Sequence, residues 1–156
     1  MMSDGEVKLT SDMPKLQRVL IVEDDSFIST DIDLALKAAG YEVCGVAANY
    51  HDAVGPSLAS DPTMAVVDVQ LSPGNGREVA RELADKFRTK VLIATAEPTS
   101  TLQGVGAIGV IPKLYDADII PKGLKSAGAM ANGEHQGLPD HMRRLSRLCS
   151  QLGVRR

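Results

Sequence analysis

Residues 18–25 read Arg-Val-Leu-Ile-Val-Glu-Asp-Asp, and their pattern is the strongest indication of the fold class. Four consecutive apolar residues, Val19–Val22, are typical of a strand that is buried on both faces, as in a parallel sheet covered by helices. The carboxyl end of such a strand opens into the crevice where α/β sheets bind ligands, and here three acids follow it: Glu23, Asp24 and Asp25. Neighbouring carboxylates repel by roughly 4 kcal/mol per pair at about 4 Å and an effective dielectric of about 20, and a hard divalent cation reverses that penalty. On its own the stretch leaves two interpretations open, an oxygen-ligand metal site or a strand that enters a solvated acidic turn.

The composition is that of an ordinary globular domain. The chain has 156 residues, enough for one domain with a sizeable core, and 44% of them are hydrophobic and 24% charged. The net charge of −3 gives no argument for binding nucleic acid or a membrane. The sequence contains neither a signal-peptide core nor a run near the ~20 apolar residues of a spanning helix. The two cysteines, Cys44 and Cys149, form no CxxC motif and are expected to be reduced thiols, which favours a cytoplasmic protein.

Strand-like and helix-like patterns alternate after the first strand. Strands are expected at 41–46, 64–69, 91–94 and 108–111, and helices at 28–39, 50–59, 77–87 and 117–130. In the helix at 77–87 the charged residues, including Arg77, are expected to lie mostly outside. Alternating strands and helices imply a parallel sheet with right-handed crossovers. We therefore predict an α/β fold with a doubly wound, five-stranded parallel sheet.

The helix between the fourth and fifth strands is the least well specified. Pro98, Gly104, Gly106 and Gly109 all discourage helix formation there. We therefore expect the fourth helix to be weakened.

The two ends of the chain are expected to lie outside this unit, which we place at residues 17–130. Residues 1–16 are polar and without a period, and predict a flexible leader. Residues 131–156 are expected to form a linker and an extra amphipathic C-terminal helix. This segment is basic, and a basic helix can contact phosphate backbones, but one short helix is not a helix-turn-helix, so nucleic-acid binding is not expected. We favour a packing or partner helix over a solvated tail. The apolar face of this helix would carry Met142, Leu145, Leu148, Cys149 and Leu152.

Polar residues with chemical potential stand where the strands end. Glu23 and Asp24 follow the first strand, and Asp68 lies near the end of the third. Thr95 ends the fourth strand, and Lys113 follows the fifth. Because the carboxyl ends of parallel strands share one edge of a sheet, we expect these side chains to lie together.

With these residues the chain resembles the response-regulator receiver domain over residues 17–130. The resemblance implies a flavodoxin-like strand order, 2-1-3-4-5. The matching segments are VLIVEDD (19–25), VVDVQLSPGNG (66–76), IATAE (93–97) and IPK (111–113).

The resemblance implies that Asp68 is a phosphoacceptor. It would take a phosphoryl group from a sensor histidine kinase or a histidine phosphotransfer protein, as carboxylates do in covalent catalysis. Lys113 would pair with the phosphoryl group, and the hydroxyl of Thr95 would donate a hydrogen bond to it.

The resemblance also implies a Mg²⁺ site. Asp24 and Asp68 would bind the ion directly together with the backbone carbonyl of Gln70, and Glu23 would act through water. Few carboxylates, one carbonyl and retained waters are the ligands that suit magnesium. Asp25 would have only a supporting or incidental role.

Two positions depart from the family pattern. Leu114 rather than proline follows Lys113, and a non-proline cis bond costs about 2.5–4 kcal/mol, which favours a trans bond and a shifted lysine. The aromatic residue that the family carries on its fifth strand is Val110 here. The surface that reports phosphorylation is therefore expected to be atypical.

The leading hypothesis is a single-domain receiver that signals by protein–protein interaction and is not a turnover enzyme. Its downstream target is not identified, a homodimer is left open, and no membrane partner is expected. The alternative is a degenerate receiver that binds a partner without phosphorylation. A Mg²⁺-dependent phosphohydrolase would need a second acid two residues after the nucleophile, where Gln70 stands.

Overall fold

A parallel sheet with helices on both faces forms the molecule. The computed structural model describes residues 17–71, 75–102, 104–113, 116–131 and 143–144. The strands are β1 (Arg18–Val22), β2 (Glu42–Ala47), β3 (Met64–Val67), β4 (Lys90–Thr95), β5 (Gly109–Pro112) and β6 (Arg143–Arg144). The helices are α1 (Ser26–Ala38), α2 (Tyr50–Ser60), α3 (Gly76–Lys86) and α4 (Ile119–Ala131), and a 3₁₀ turn spans Thr99–Leu102.

The order of the strands confirms the predicted fold class. The sheet runs β2-β1-β3-β4-β5-β6, and all neighbours from β2 to β5 are parallel. Val22 pairs with Val67, the last residues of β1 and β3, so these two strands end level, whereas β4 continues two residues past the partner of Val67, Ile93, to Thr95. The residues that follow β1 and β3 therefore emerge side by side.

Two hydrophobic clusters, one on each face of the sheet, hold the helices in place. Ile32 and Leu36 of α1 pack with Ile120 and Leu124 of α4 in one cluster. The other cluster gathers α2, α3 and the 3₁₀ turn, through residues such as Leu83. Each fully buried Leu or Ile side chain contributes about 1.5–3 kcal/mol, so burial on both faces fixes the position of the strand ends.

Asp25 has a defined structural role at the start of α1. Its Oδ1 accepts hydrogen bonds from the backbone N–H groups of Phe27 at 2.9 Å and Ile28 at 3.1 Å. These bonds satisfy two of the donors that a helix start leaves open, and such an N-cap contributes about 1 kcal/mol. The third acid of the opening stretch therefore starts the helix.

The segment between β4 and β5 confirms the weakened fourth helix. The only helical element among its described residues is the 3₁₀ turn Thr99–Leu102. Gly104 and Gly106 have φ angles of +83° and +87°, a region that residues with a side chain rarely adopt and that no helix contains. Leu102 is nevertheless fully buried, so the short segment still closes its side of the core.

Helix α4 forms although its sequence contains Pro121 and Gly123. Pro121 lies in the first turn, where the backbone N–H has no partner within the helix and its loss costs little. A Cβ on Gly123 would come within 2.9 Å of Ile111 and 3.0 Å of Leu92. The glycine lets the helix approach β4 and β5 closely.

The C-terminal prediction needs one correction. Arg143–Arg144 form the short strand β6, antiparallel to β5 at Gly109 and Val110, so the predicted C-terminal helix does not include them. The free edge of β5 offers unpaired backbone groups, and strand pairing there outweighs the helical spacing of the sequence. The rest of 132–156 and the predicted leader 1–16 lie outside the described residues. No helix in the described part of the chain is both long and apolar enough to cross a membrane.

Candidate functional site

The sheet carries Glu23 and Asp68 to the same point. The backbone N–H of Glu23 donates to the carbonyl of Ala47 at 2.9 Å, and that of Asp68 donates to the carbonyl of Val22 at 2.9 Å. The hydrogen-bond ladder of the sheet thus continues one residue past β1 and past β3. Both acids are consequently held by the backbone of the sheet and not by a loose loop.

Lys113 joins these two acids from the end of β5. Its Nζ lies 2.8 Å from Asp68 Oδ2 and 3.2 Å from Glu23 Oε1. The acid side chains are 3% exposed and that of the lysine is 18% exposed, so the three charges are largely shielded from water. Buried carboxylates are costly unless paired, and the shared ammonium supplies that pairing.

Asp24 completes a cluster of three carboxylates. Glu23, Asp24 and Asp68 each offer one oxygen, and these oxygens all lie within 4.8 Å of one another. Asp24 is exposed on the rim, whereas the other two are buried. Hard oxygen donors that lie this close together, one of them on an exposed side chain, fit a small divalent cation. The cluster could therefore hold a metal ion.

The pKa values of the cluster reflect burial and mutual charge. Burial raises the pKa of Glu23, and the charge of Asp68 raises it further, against the lowering effect of the Asp25 N–H and of Lys113. Burial alone would lower the pKa of Lys113, but its hydrogen bond and charge interaction with Asp68, together with Glu23, outweigh burial, so that this pKa is raised. The lysine is thus held in its cationic form by the acids that it bridges.

Asp68 is held by bonds on both of its oxygens. The backbone N–H of Gln70 donates to Oδ1 at 2.9 Å, while Oδ2 faces Lys113. The backbone of Gln70, predicted to supply a carbonyl ligand, therefore lies next to Asp68. These two contacts fix the orientation of the Asp68 carboxylate.

Gly76, which the sequence analysis did not single out, packs directly against the backbone of Asp68. A Cβ at this position would lie 2.1 Å from the Asp68 carbonyl oxygen and 2.3 Å from the Cα of Val69. Its N–H donates to the carbonyl of Val69 at 3.2 Å. The sequence Pro-Gly-Asn-Gly at 73–76, which is rich in turn-forming residues, was the signal that could have revealed this close approach.

Thr95 lies at the end of β4, fully buried and directly beside the lysine. Its carbonyl accepts the backbone N–H of Lys113 at 2.8 Å, and its Oγ1 accepts the backbone N–H of Glu97 at 3.3 Å. The lysine therefore reaches the acids from a position fixed by β4, although leucine follows it. The peptide bond to Leu114 lies outside the described residues.

A second pair of charged residues, Arg77 and Glu97, also escaped the sequence analysis. Arg77 was expected on the outer face of its helix, yet its guanidinium forms an ion pair with the carboxylate of Glu97, beyond β4. The Oγ1 of Thr101 lies 3.3 Å from the guanidinium nitrogen and 3.2 Å from the same carboxylate. Twenty residues separate the two partners, and no local sequence pattern indicates the contact.

Comparison with known proteins matches this arrangement to one family. Residues 19–125 match the sequence profile of the response regulator receiver domain. The chain belongs to this family. The predicted resemblance is confirmed, and the strand-end acids, threonine and lysine described above belong to a receiver domain.

Two relatives show how much of a longer protein this receiver domain corresponds to. The transcriptional regulatory protein PdtaR of Mycobacterium tuberculosis is 30% identical over 110 residues, which cover 67% of this chain and 54% of PdtaR. The phyllosphere-induced regulator PhyR of Methylorubrum extorquens is 32% identical over 101 residues, 62% of this chain and 36% of PhyR. The match therefore spans about half of one relative and about a third of the other.

Solved receiver structures share the fold. The signal receiver domain of a modulated diguanylate cyclase from Desulfovibrio desulfuricans G20 matches with a TM-score of 0.69 at 28% identity, and the match covers 78% of this chain and all of that one. The chemotaxis response regulator CheY4 of Vibrio cholerae matches with a TM-score of 0.65 at 23% identity, covering 72% of this chain and 99% of CheY4. Both likenesses agree with the sheet order described above.

Proposed function

We propose that this receiver domain accepts a phosphoryl group on Asp68 from a phosphohistidine of a sensor kinase or a phosphotransfer protein. The observation that carries the proposal is the contact of Asp68 Oδ2 with the ammonium of Lys113 at 2.8 Å, beside two further carboxylates. A nucleophilic carboxylate needs a fixed orientation and cationic surroundings for the charge that it receives. Asp68 has both.

The transfer conserves charge and atoms in a simple way. An oxygen of the Asp68 carboxylate attacks phosphorus, the new O–P bond forms as the N–P bond of the phosphohistidine breaks, and the imidazole leaves. Transfer of this kind depends mainly on positioning and on neutralising the charge of the transferred group. Lys113, whose raised pKa keeps it cationic, would pair with the phosphoryl oxygens.

The residues at the site fit Mg²⁺. Asp24, Asp68 and the backbone carbonyl of Gln70 would hold the ion directly, and Glu23 would hold it through water. When bound, the ion supplies positive charge beside the phosphoryl oxygens. The donor set supports this assignment, because three carboxylate oxygens converge within 4.8 Å.

Signalling would follow from a change in which protein the domain binds. We propose a cytoplasmic phosphoacceptor that acts through protein–protein contact and does not turn over a substrate. The receiver with a phosphoryl group on Asp68 would differ from the unphosphorylated receiver by the contacts of that group with Lys113 and Thr95. Only such differences in contacts between two states can shift the equilibrium between them. In this proposal the partner is an unidentified downstream protein, and a homodimer is left open.

The alternative is a degenerate receiver that binds its partner without phosphorylation. Two observations favour it. Val110, in the position of the family's aromatic residue, is buried in the core. Among the described residues between β4 and β5, a 3₁₀ turn is the only helical element in the place of a helix. The intact arrangement of Asp68 and Lys113 favours the phosphoacceptor.

Intact-mass measurement after incubation with Mg²⁺ and acetyl phosphate tests the proposal. The expected result is one added phosphoryl group, absent from Asp68→Asn and retained by Asp85→Asn, which removes an exposed aspartate of α3. A short-lived adduct would show itself instead as phosphate released from acetyl phosphate by the wild type and not by Asp68→Asn. If the wild type shows no adduct and releases no phosphate, the degenerate receiver is supported. An adduct on Asp68→Asn would disprove the assigned position.

A further inference from the structure

The hydroxyl of Thr95 is held from one side only. A threonine hydroxyl has one proton and two lone pairs, and the Glu97 N–H occupies one lone pair at 3.3 Å. Within the described residues the Thr95 hydroxyl accepts this hydrogen bond and donates none. Because the side chain is fully buried and its carbonyl is bonded to Lys113, the hydroxyl is the part of Thr95 still free to turn.

Glu97, which holds this hydroxyl through its backbone, is itself held through its side chain. The carboxylate pairs with the guanidinium of Arg77 and lies 3.2 Å from the hydroxyl of Thr101. Arg77 and Thr101 also contact each other at 3.3 Å, which closes a three-membered polar cluster. We call Arg77, Glu97 and Thr101 the clamp.

The clamp is anchored in the segment that follows Asp68. Arg77 comes directly after Gly76, whose N–H is bonded to the carbonyl of Val69. The backbone N–H of Arg77 donates to Oδ1 of Asn75, the N-cap of α3, at 2.9 Å. The clamp therefore ties the chain after Asp68 to the chain after Thr95.

We infer that Arg77 and Glu97 are positioning residues for Thr95. By holding the Glu97 N–H against Oγ1, they fix the direction of one lone pair of the hydroxyl. This limits the directions left for the hydroxyl proton and favours the one toward a phosphoryl group on Asp68. This inference rests on the proposed function, since it concerns the same transfer. Arg77 and Glu97 act through Thr95 and do not touch the phosphoryl group themselves.

A purely stabilising role is the competing interpretation. The side chains of the pair are 31% and 18% exposed, and ion pairs with such access to water contribute little, about 0–1 kcal/mol. Arg77→Gln should therefore unfold at nearly the wild-type temperature. A change in phosphoryl transfer at unchanged stability would separate positioning from stabilisation.

A double-mutant cycle with Thr95 gives the sharpest test. The rate of phosphorylation by acetyl phosphate with Mg²⁺ is measured for the wild type, Arg77→Gln, Thr95→Ala and the double variant. Arg77→Gln is expected to lower the rate about three- to tenfold in the wild type and to have almost no effect once Thr95 is absent, because directly coupled residues are not additive. Arg81→Gln, an exposed arginine on the same helix, is the matched control and should leave the rate unchanged.

The conservative variants refine this test. Arg77→Lys keeps the charge but not the planar fork, so it should recover part of the rate, whereas Glu97→Ala should match Arg77→Gln. An equal loss with and without Thr95, or a wild-type rate in Arg77→Gln, would overturn the inference while leaving the proposed function intact. If the wild type itself accepts no phosphoryl group, the proposed function fails and the inference fails with it.

Discussion

Lys113 and Asp68 are in direct contact across the site, with 2.8 Å between Nζ and Oδ2, although they lie 45 positions apart in the sequence. The lysine arises from β5 and the acid from β3, two strands that are not neighbours, because β4 lies between them. The lysine spans this gap because its own backbone is bonded to Thr95 at the end of β4. One cation thus pairs with two buried acids and connects three strands.

We predict that Lys113→Ala destabilises the protein without metal and increases the stabilisation that Mg²⁺ provides. Removing the ammonium leaves Glu23 and Asp68 buried without a counterion, at a cost of several kcal/mol for a fully buried pair and about 2 kcal/mol at this partial exposure. Thermal unfolding with and without Mg²⁺ measures both effects.

Lys86→Ala is the control for this experiment. Lys86 forms an ion pair with Glu82 on the surface of α3, where its side chain is 68% exposed. Such a pair contributes little, so this variant should unfold like the wild type and respond normally to Mg²⁺. Equal stability of the two lysine variants would contradict the role assigned to Lys113.

Glu23→Gln should make the metal-free protein more stable at neutral pH. Burial raises the pKa of Glu23 above its ordinary value of 4.5, so the folded state keeps this proton at a pH where the unfolded state has lost it. As pH rises from 4.5 through the raised pKa, the folded state releases the proton and the free energy of unfolding falls. The pKa of Lys113 is raised from 10.5, and its contribution to stability does not change in this range.

Denaturant unfolding at a series of pH values above 4.5, without metal, measures this dependence. The wild type should lose stability relative to Glu23→Gln as pH rises, while Glu42→Gln, at an exposed position of β2, should remain parallel to the wild type. Parallel curves for the wild type and Glu23→Gln would show that the Glu23 carboxyl does not titrate differently on folding.

Asp25→Ala should cost about 1 kcal/mol of stability, because the N-cap of α1 is lost, and should leave phosphorylation intact. Asp25→Asn keeps an oxygen that accepts the same bonds, so it should be nearly as stable as the wild type. Denaturant unfolding and the acetyl phosphate assay together separate the two properties. Loss of phosphorylation in Asp25→Asn would mean that the charge of Asp25 serves the site and not only the helix.

The sequence predicted the sheet well because its signals are local. Runs such as Val19–Val22 and the acids, threonine and lysine at the strand ends are readable one segment at a time, and topology then brings them together. The sequence did not separate the three consecutive acids by role. Side chains alternate between the two faces only within a strand, and these acids follow the end of β1. The structure has Glu23 buried, Asp24 exposed and Asp25 bonded to the start of α1.

Tertiary contacts account for what the sequence analysis missed. Arg77 reads as a surface residue of an amphipathic helix, and only the folding of the β4–β5 segment against α3 brings Glu97 to it. The helical spacing near Arg143–Arg144 was overridden in the same way, by pairing with the edge of β5. In each case a partner distant in sequence outweighed a local periodicity.

Gly76→Ala should be strongly destabilising and should also lower phosphorylation. The added Cβ would lie 2.1 Å from the carbonyl oxygen of Asp68, and because that neighbour is backbone, no change of rotamer relieves the overlap. Helix α3 or the Asp68 segment must move, at a cost of at least about 2 kcal/mol, at the upper end of the range for overpacking.

Gly128→Ala in α4 is the matched control, since its Cβ would meet only Met64 Cε at an ordinary 3.5 Å and alanine favours a helix by roughly 0.5–1 kcal/mol. Denaturant unfolding should therefore show opposite changes for the two variants, and a Gly76→Ala protein as stable as Gly128→Ala would show that the backbone of Asp68 does not depend on this close contact.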